Sequence, residues 1–143
     1  MTILLLRHAA AGTRETWGGD DDSLRPLDAE GILQAAGLAA AFDEYRVARV
    51  ASSPARRCVE TVEPLAARLS LPIEERAELT EGVPVASTLA LLRELDSQTA
   101  LVCTHGDVIA GLIGPDRPCR KGSVWILEPD GNGFAPAMYL PSP

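Results

Sequence analysis

The chain opens on a short apolar run, residues 2–6 (TILLL), with no turn-former inside it, and this reads as a buried strand ending at Arg7. A long polar stretch follows from Ala9 to Pro26, carrying Gly12, Gly18 and Gly19, three consecutive aspartates (Asp20, Asp21, Asp22) and Trp17. It exceeds the usual connection length, which marks it as a functional surface loop. Residues 29–42 place Ile32, Ala36, Ala39 and Phe42 on one helical stripe, with Asp28 as the cap. Residues 47–51 (VARVA) predict a second strand. The helical segment after it has Ser53 as its cap, Pro54 at the first helical position, and Val59, Val62, Ala66 and Leu69 on the inward face. Pro64 is expected to bend or divide that helix.

Residues 73–82 predict a short strand and an acidic loop, and 84–95 a helix with Val85, Leu89, Leu92 and Leu95 inward. The run TALVC is a further strand that stops at His105, with Asp107 capping the helical VIAGLI and Gly114 and Pro115 ending it. Residues 124–128 and 134–140 flank PDGNG as a hairpin whose second arm, holding Pro136, suits a sheet edge. Strands alternating with helices in this order predict one α/β domain over residues 1–143, a three-layer α/β/α sandwich with a largely parallel central sheet.

The 143 residues are enough for one hydrophobic core. Thirteen basic against 20 acidic side chains give a formal charge of −7, which argues against a nucleic-acid polymer or an anionic membrane surface as partner. The apolar start is interrupted by Arg7 and His8 and is too short for a signal or spanning segment, so cytoplasm is the expected location. Cys58, Cys103 and Cys119 form no metal-binding spacing and are expected to be free thiols.

In an open parallel sheet the ligand lies beyond the carboxyl ends of the strands. Three segments qualify: Arg7 and His8, Ser52 to Arg57, and Thr104 to Asp107. The chain has only two histidines, and both fall at these strand ends. Guanidinium forks and helix N-terminal amides match a phosphoryl group, and a neutral imidazole can attack its phosphorus. Read residue by residue, each histidine could equally be structural and each arginine solvated. Two histidines without a third ligand make a poor zinc site, and Ser52 and Ser53 lack a nucleophile elbow.

Taken together, LLLRHA (4–9), RPLDAEGILQA (25–35), SSPARRCVETV (52–62), LTE (79–81) and VCTHGD (102–107) resemble the ordered motifs of the histidine phosphatase superfamily, the phosphoglycerate-mutase-like group. The likeness spans nearly the whole chain. DSLRPLDAEG and AELTEG are most similar to the compact branch that includes bacterial phosphohistidine phosphatases. SSPARRCVETVEPLA with KGSVWILE is also similar to the phosphatase domain fused to Nudix hydrolases.

The resemblance implies a histidine-phosphatase-like fold and a phosphatase that needs neither metal nor cofactor. It implies His8 as the nucleophile that becomes phosphorylated, Arg7 and Arg56 as phosphate-binding arginines, and His105 as the second histidine on the transferring phosphoryl. Glu81 falls on the proton donor, with Glu78 the rival carboxylate three residues earlier. Arg57 is left free to point elsewhere. Arg14 is a candidate to reach the substrate from the long loop and Trp17 to pack against it, while Asp20, Asp21 and Asp22 read as a solvated turn. The implied substrate is a phosphomonoester of a small metabolite or nucleotide. The alternatives are a protein phosphohistidine and, in another class, a noncatalytic phosphate-binding module.

Overall fold

Strand β1 (Ile3–Arg7) is apolar on both sides because helices cover both: Leu4 and Leu6 point into one core, Ile3 and Leu5 into the other. The structure, a computed structural model, describes residues 2–143. The remaining strands are β2 (Arg49–Ser52), β3 (Ile73–Glu75), β4 (Ala100–Thr104), β5 (Val124–Asp130) and β6 (Gly133–Leu140). They form one sheet in the order β3-β2-β4-β1-β5-β6, in which β1 to β4 run parallel and β5 and β6 are antiparallel. The protein is therefore a three-layer α/β/α sandwich with a mixed, largely parallel sheet.

The helices are α1 (Ala29–Leu38), α2 (Arg56–Leu69), α3 (Val85–Leu95) and α4 (Gly106–Ile113). One core packs Leu4, Val50, Leu101 and Ile126 against Leu38, Phe42, Val62 and Leu65. The other packs Ile3, Leu5, Val102 and Leu127 against Leu91, Leu92, Leu95 and Ile109. Each fully buried aliphatic side chain contributes about 1.5–3 kcal/mol, and the two cores clamp the sheet from both faces.

Several local expectations shift. Asp28 caps α1, its Oδ1 accepting from the Gly31 amide at 2.8 Å, but the buried stripe of the helix is Gly31, Ala35 and Leu38, while Ile32 is 60% exposed. A Cβ on Gly31 would run into the Ala10 carbonyl oxygen; that close approach of helix to loop sets the rotation of α1. Helix α2 begins at Arg56 with Ala55 at its cap and no side-chain capping bond, and it is continuous through Pro64. Ser53 lies two residues before that cap, its hydroxyl accepting from the Ala55 amide at 3.3 Å and contacting His105. In α3, Val85 is turned outward and Thr88, Leu91, Leu92 and Leu95 face the core. His105, not Asp107, occupies the cap position of α4.

The parallel pairing decides where chemistry can gather. Arg7 pairs with Thr104 and Ser52 with Cys103, so β1, β2 and β4 end at one edge and release His8, Ser53 and His105 side by side. The His8 amide donates to the Thr104 carbonyl at 3.1 Å and the Ser53 amide to the Cys103 carbonyl at 2.9 Å, extending the ladder to the site itself.

Candidate active site

His8 leaves β1 with its ring almost wholly buried. Its Nδ1 lies 2.8 Å from the Ala9 carbonyl oxygen. A carbonyl can only accept, so Nδ1 carries the proton and Nε2 keeps its lone pair. Burial, with the guanidiniums of Arg57 and Arg7 and the His105 ring close by, outweighs the Ala9 hydrogen bond and drops the His8 pKa to about 3. The imidazole is therefore neutral at any physiological pH.

His105, also buried, meets His8 edge-on with ring centroids 5.5 Å apart. Its Nε2 points inward to the Ser53 hydroxyl at 2.9 Å, and its Nδ1 points outward, 3.4 Å from Arg57 Nη2 and 4.0 Å from Glu81 Oε2. Arg7 lies against Gly106, where an added Cβ would come within 3.0 Å of the guanidinium carbon; glycine there admits the side chain. Arg7 Nη1 donates to the Cys119 carbonyl at 2.7 Å.

The structure places one of the expected arginines away from the histidines. Arg56 is 54% exposed, paired with Glu60 one turn along α2 at 3.0 Å, and it lines a groove beside α1 away from the histidines. Arg57 is the arginine in the site: its side chain is 2% exposed and sits beside His105, with Nη1 donating to the Asp22 carbonyl at 2.8 Å. Helical phase explains the exchange, since Arg57 shares the buried face of α2 with Cys58, Thr61 and Val62, whereas Arg56 faces solvent. That phase was the available signal, as was the arginine spacing within SSPARR. Arg7 and Arg57 each keep a buried Nε without a hydrogen-bond partner among the described residues. Buried donors of that kind are costly to leave unmade, and the oxygens of a bound oxyanion would satisfy them.

Two cavities share Glu81 as a wall. The first, about 410 Å³, runs from Arg7 and His8 along Ile109, Ala110 and Ile113 of α4 to Arg117. The Arg117 guanidinium sits 5.6 Å over the Trp125 ring. The second, about 420 Å³, is lined by Arg57, His105, Arg14 and Asp22.

Glu81 is presented by a segment pinned at both ends. Thr104 Oγ1 donates to the Leu79 carbonyl at 2.6 Å, and the Gly82 amide donates to Asp107 Oδ2 at 2.8 Å. Glu78 lies outside both cavities, tied to Arg76 at 2.8 Å. Arg14 does reach the site from the long loop and pairs with Glu81 at 2.8 Å. Trp17 lines neither cavity; its Nε1 donates to the Asp21 carbonyl within its own loop.

Asp22 departs from the solvated turn expected of the three aspartates. Its carboxylate faces three arginines, Arg25 at 2.9 Å and Arg14 and Arg57 at 3.4 Å, and these hold its pKa below the usual range, the Arg25 hydrogen bond foremost. Arg25 also donates to the Ala11 carbonyl at 2.7 Å, tying the long loop down. A distant-looking acid thus joins the site because an arginine of its own loop turns it inward. Among the described residues, no three His, Cys, Asp or Glu side chains are grouped so as to hold a metal ion, and no helix is long and apolar enough to cross a membrane.

A buried neutral imidazole beside a second histidine and two arginines, at the carboxyl edge of a parallel sheet, defines a class of enzymes that move phosphoryl groups through histidine. The profile of the histidine phosphatase superfamily (branch 1) matches residues 3–83, and the chain belongs to that family; it is a histidine-phosphatase enzyme. Among curated proteins it is 34% identical over 157 aligned positions to the 8-oxo-(d)GTP phosphatase of Mycolicibacterium smegmatis, covering 99% of this chain and 48% of that one. The chain thus spans about half the length of that relative. Among solved structures it superposes on the protein histidine phosphatase SixA complexed with tungstate, with a TM-score of 0.80, 23% identity and coverage of 98% and 96% of the two chains. It also superposes on mycobacterial glucosyl-3-phosphoglycerate phosphatase, with a TM-score of 0.77, 17% identity and coverage of 95% and 96%. Both structural likenesses show the fold.

Proposed function

We propose that the enzyme transfers a phosphoryl group from its substrate to Nε2 of His8 and then to water, with no metal ion taking part. The observation that carries this reading is the His8 ring itself, buried, uncharged and with its Nδ1 proton fixed on the Ala9 carbonyl. Nε2 attacks phosphorus in line; the P–N bond to His8 forms as the bond to the leaving group breaks. Arg7, Arg57 and His105 stabilise charge on the equatorial oxygens. Attack of water then cleaves the phosphohistidine, returning His8 and releasing inorganic phosphate.

The substrate class turns on Glu81. An alkoxide leaves poorly unless an acid protonates it, whereas a phosphohistidine leaves as neutral imidazole once its other ring nitrogen has taken a proton from solvent, a site remote from the breaking P–N bond that needs no acid at the leaving atom. Glu81 Oε1 accepts from Arg14 Nη2 at 2.8 Å and Oε2 lies 3.6 Å from Arg57 Nη2, so both of its oxygens are turned to guanidiniums rather than toward a leaving oxygen. This supports a protein phosphohistidine as substrate, in keeping with the SixA phosphatase that shares the fold.

A second reading, a phosphomonoester of a small metabolite or nucleotide, is favoured by the cavity along α4. Its apolar wall and Arg117 suit a compact leaving group, and the sequence relative is named for a nucleotide. The test is turnover of a phosphohistidine protein, nucleotides and an aryl phosphate side by side after chelation and desalting, with alkaline rapid quench and peptide mapping. An acid-labile phosphate on the His8 peptide, absent in His8→Ala, is expected. A stable adduct on Ser53 or Cys103, or turnover that only added metal restores, refutes the mechanism.

A further inference from the structure

Behind His105, on the side away from substrate, lies a group that the reaction above does not use. Cys58, in the first turn of α2, is fully buried and places its sulfur 3.6 Å from Nε2 of His105. We propose that Cys58 is a positioning residue: its sulfur, together with the Ser53 hydroxyl, accepts the inward proton of His105, so that Nδ1 is the nitrogen offered to the transferring phosphoryl group. This rests on the reading of His105 as a phosphoryl-stabilising group, and the tautomer it assigns can be observed without turnover.

The surroundings of the ring are asymmetric. On the inner side, Nε2 faces two groups that can accept, Ser53 Oγ at 2.9 Å and Cys58 Sγ at 3.6 Å. Ser53 Oγ already takes the Ala55 amide at 3.3 Å, so it does not by itself offer the ring a free choice of lone pairs. On the outer side, the group within hydrogen-bond distance of Nδ1 is Arg57 Nη2 at 3.4 Å, which can only donate, while Glu81 Oε2 stands off at 4.0 Å. Acceptors inside and a donor outside select the tautomer with the proton on Nε2.

When an anionic phosphoryl oxygen enters between Arg57 and the ring, Nδ1 takes up a proton from solvent and hydrogen-bonds through it to that oxygen, while the Nε2 proton stays where the sulfur and hydroxyl hold it. The charged groups facing His105 are Arg57 from α2, Glu81 from the segment after β3, and Asp22 acting through Arg57; His8 faces it as a neutral ring.

The second thiol makes Cys58 the accepting sulfur. Cys103 on β4 is fully buried; desolvation and its hydrogen bond with Cys58 push its pKa up, so it keeps its proton. Burial alone would push Cys58 the same way, but hydrogen bonds with Cys103 and His105 and the charge of Arg57 pull it below the ordinary thiol value. Of the two thiols Cys103 is the one that keeps its proton, which leaves the Cys58 sulfur, 3.6 Å from Nε2, as the acceptor.

The chain has two histidines, so long-range proton–nitrogen spectra of the histidine-labelled protein read both rings directly. In the wild type His105 should show the Nε2–H tautomer and become doubly protonated when orthovanadate is added. In Cys58→Ala the tautomer should become mixed and the vanadate-bound ring should deprotonate at lower pH. Its kcat should fall about ten-fold, the loss expected for one hydrogen bond to a charged group, with little change in KM. Cys58→Ser, which restores an acceptor, should recover most of both, and unchanged His8 signals report an intact fold. An Nδ1–H tautomer in the wild type overturns the proposal even if no variant folds. So do superimposable His105 titrations and pH profiles for wild type and Cys58→Ala.

Discussion

Replacing Arg57 rather than Arg56 tests the site most directly, because the two are adjacent in sequence and differ in almost everything else. Arg57 is 2% exposed, contacts His105 and keeps a buried Nε with no acceptor among the described residues. If that guanidinium receives charge from the transferring phosphoryl, Arg57→Ala removes a preorganised donor pair from a site shielded from water. Loss of one such donor costs about 2.7–4 kcal/mol, a fall of roughly 10²- to 10³-fold in kcat. Arg57→Lys keeps the charge but not the fork, so it should recover only part of the loss.

Arg56 makes an exposed i,i+4 pair with Glu60; such pairs contribute about 0.3–0.5 kcal/mol before screening. Arg56→Ala should therefore leave kcat/KM within about two-fold of wild type. The assay is steady-state turnover of an aryl phosphate, with thermal unfolding of each variant as the control for folding. A large loss in Arg56→Ala with activity retained in a folded Arg57→Ala would refute the assignment of the clamp.

Three further outcomes are expected. On the phosphomonoester reading Glu81→Gln should slow an alkyl phosphate by about 10²- to 10⁴-fold yet scarcely affect an aryl phosphate, and on either reading it should scarcely affect a phosphohistidine; leaving-group dependence in Glu78→Gln instead would move the acid to Glu78. His8 has a pKa of about 3 folded against an ordinary 6.5, so between those values the unfolded chain binds the extra proton. Stability should therefore fall as pH drops below 6.5, by at most about 1.4 kcal/mol per pH unit. Denaturant unfolding of wild type and His8→Gln at pH 7 and 5 should show the smaller loss in the variant, and equal losses would deny that the ring is buried neutral. Gly106→Ala should raise KM, because its Cβ meets Arg7 at 3.0 Å and must displace the guanidinium; an unchanged KM would show that Arg7 does not need that place.

What the sequence determined by itself is whatever depends on local pattern. The apolar runs of β1 and β4 mark strands covered on both faces, Asp28 caps α1, and Pro136 falls on the edge strand β6. The strand ends that carry His8 and His105 are legible because parallel strands terminate on a common edge.

Tertiary structure decided the finer matters, where two residues compete for one place. Arg56 and Arg57 are adjacent in the chain, and the packing of α2 against the sheet decides which of them is inward. The stripe of α1 is turned from Ile32 to Gly31 and Ala35 by the Ala10 backbone, a contact between distant segments that helical periodicity does not encode. Asp22 enters the site because Arg25, Arg14 and Arg57 converge on it from two segments. Cys58, 47 positions from His105, becomes its neighbour only when α2 docks on β4. Local pattern reports which groups face a core; which groups face each other is set by long-range packing and electrostatics, and the chemistry of the site depends on the second.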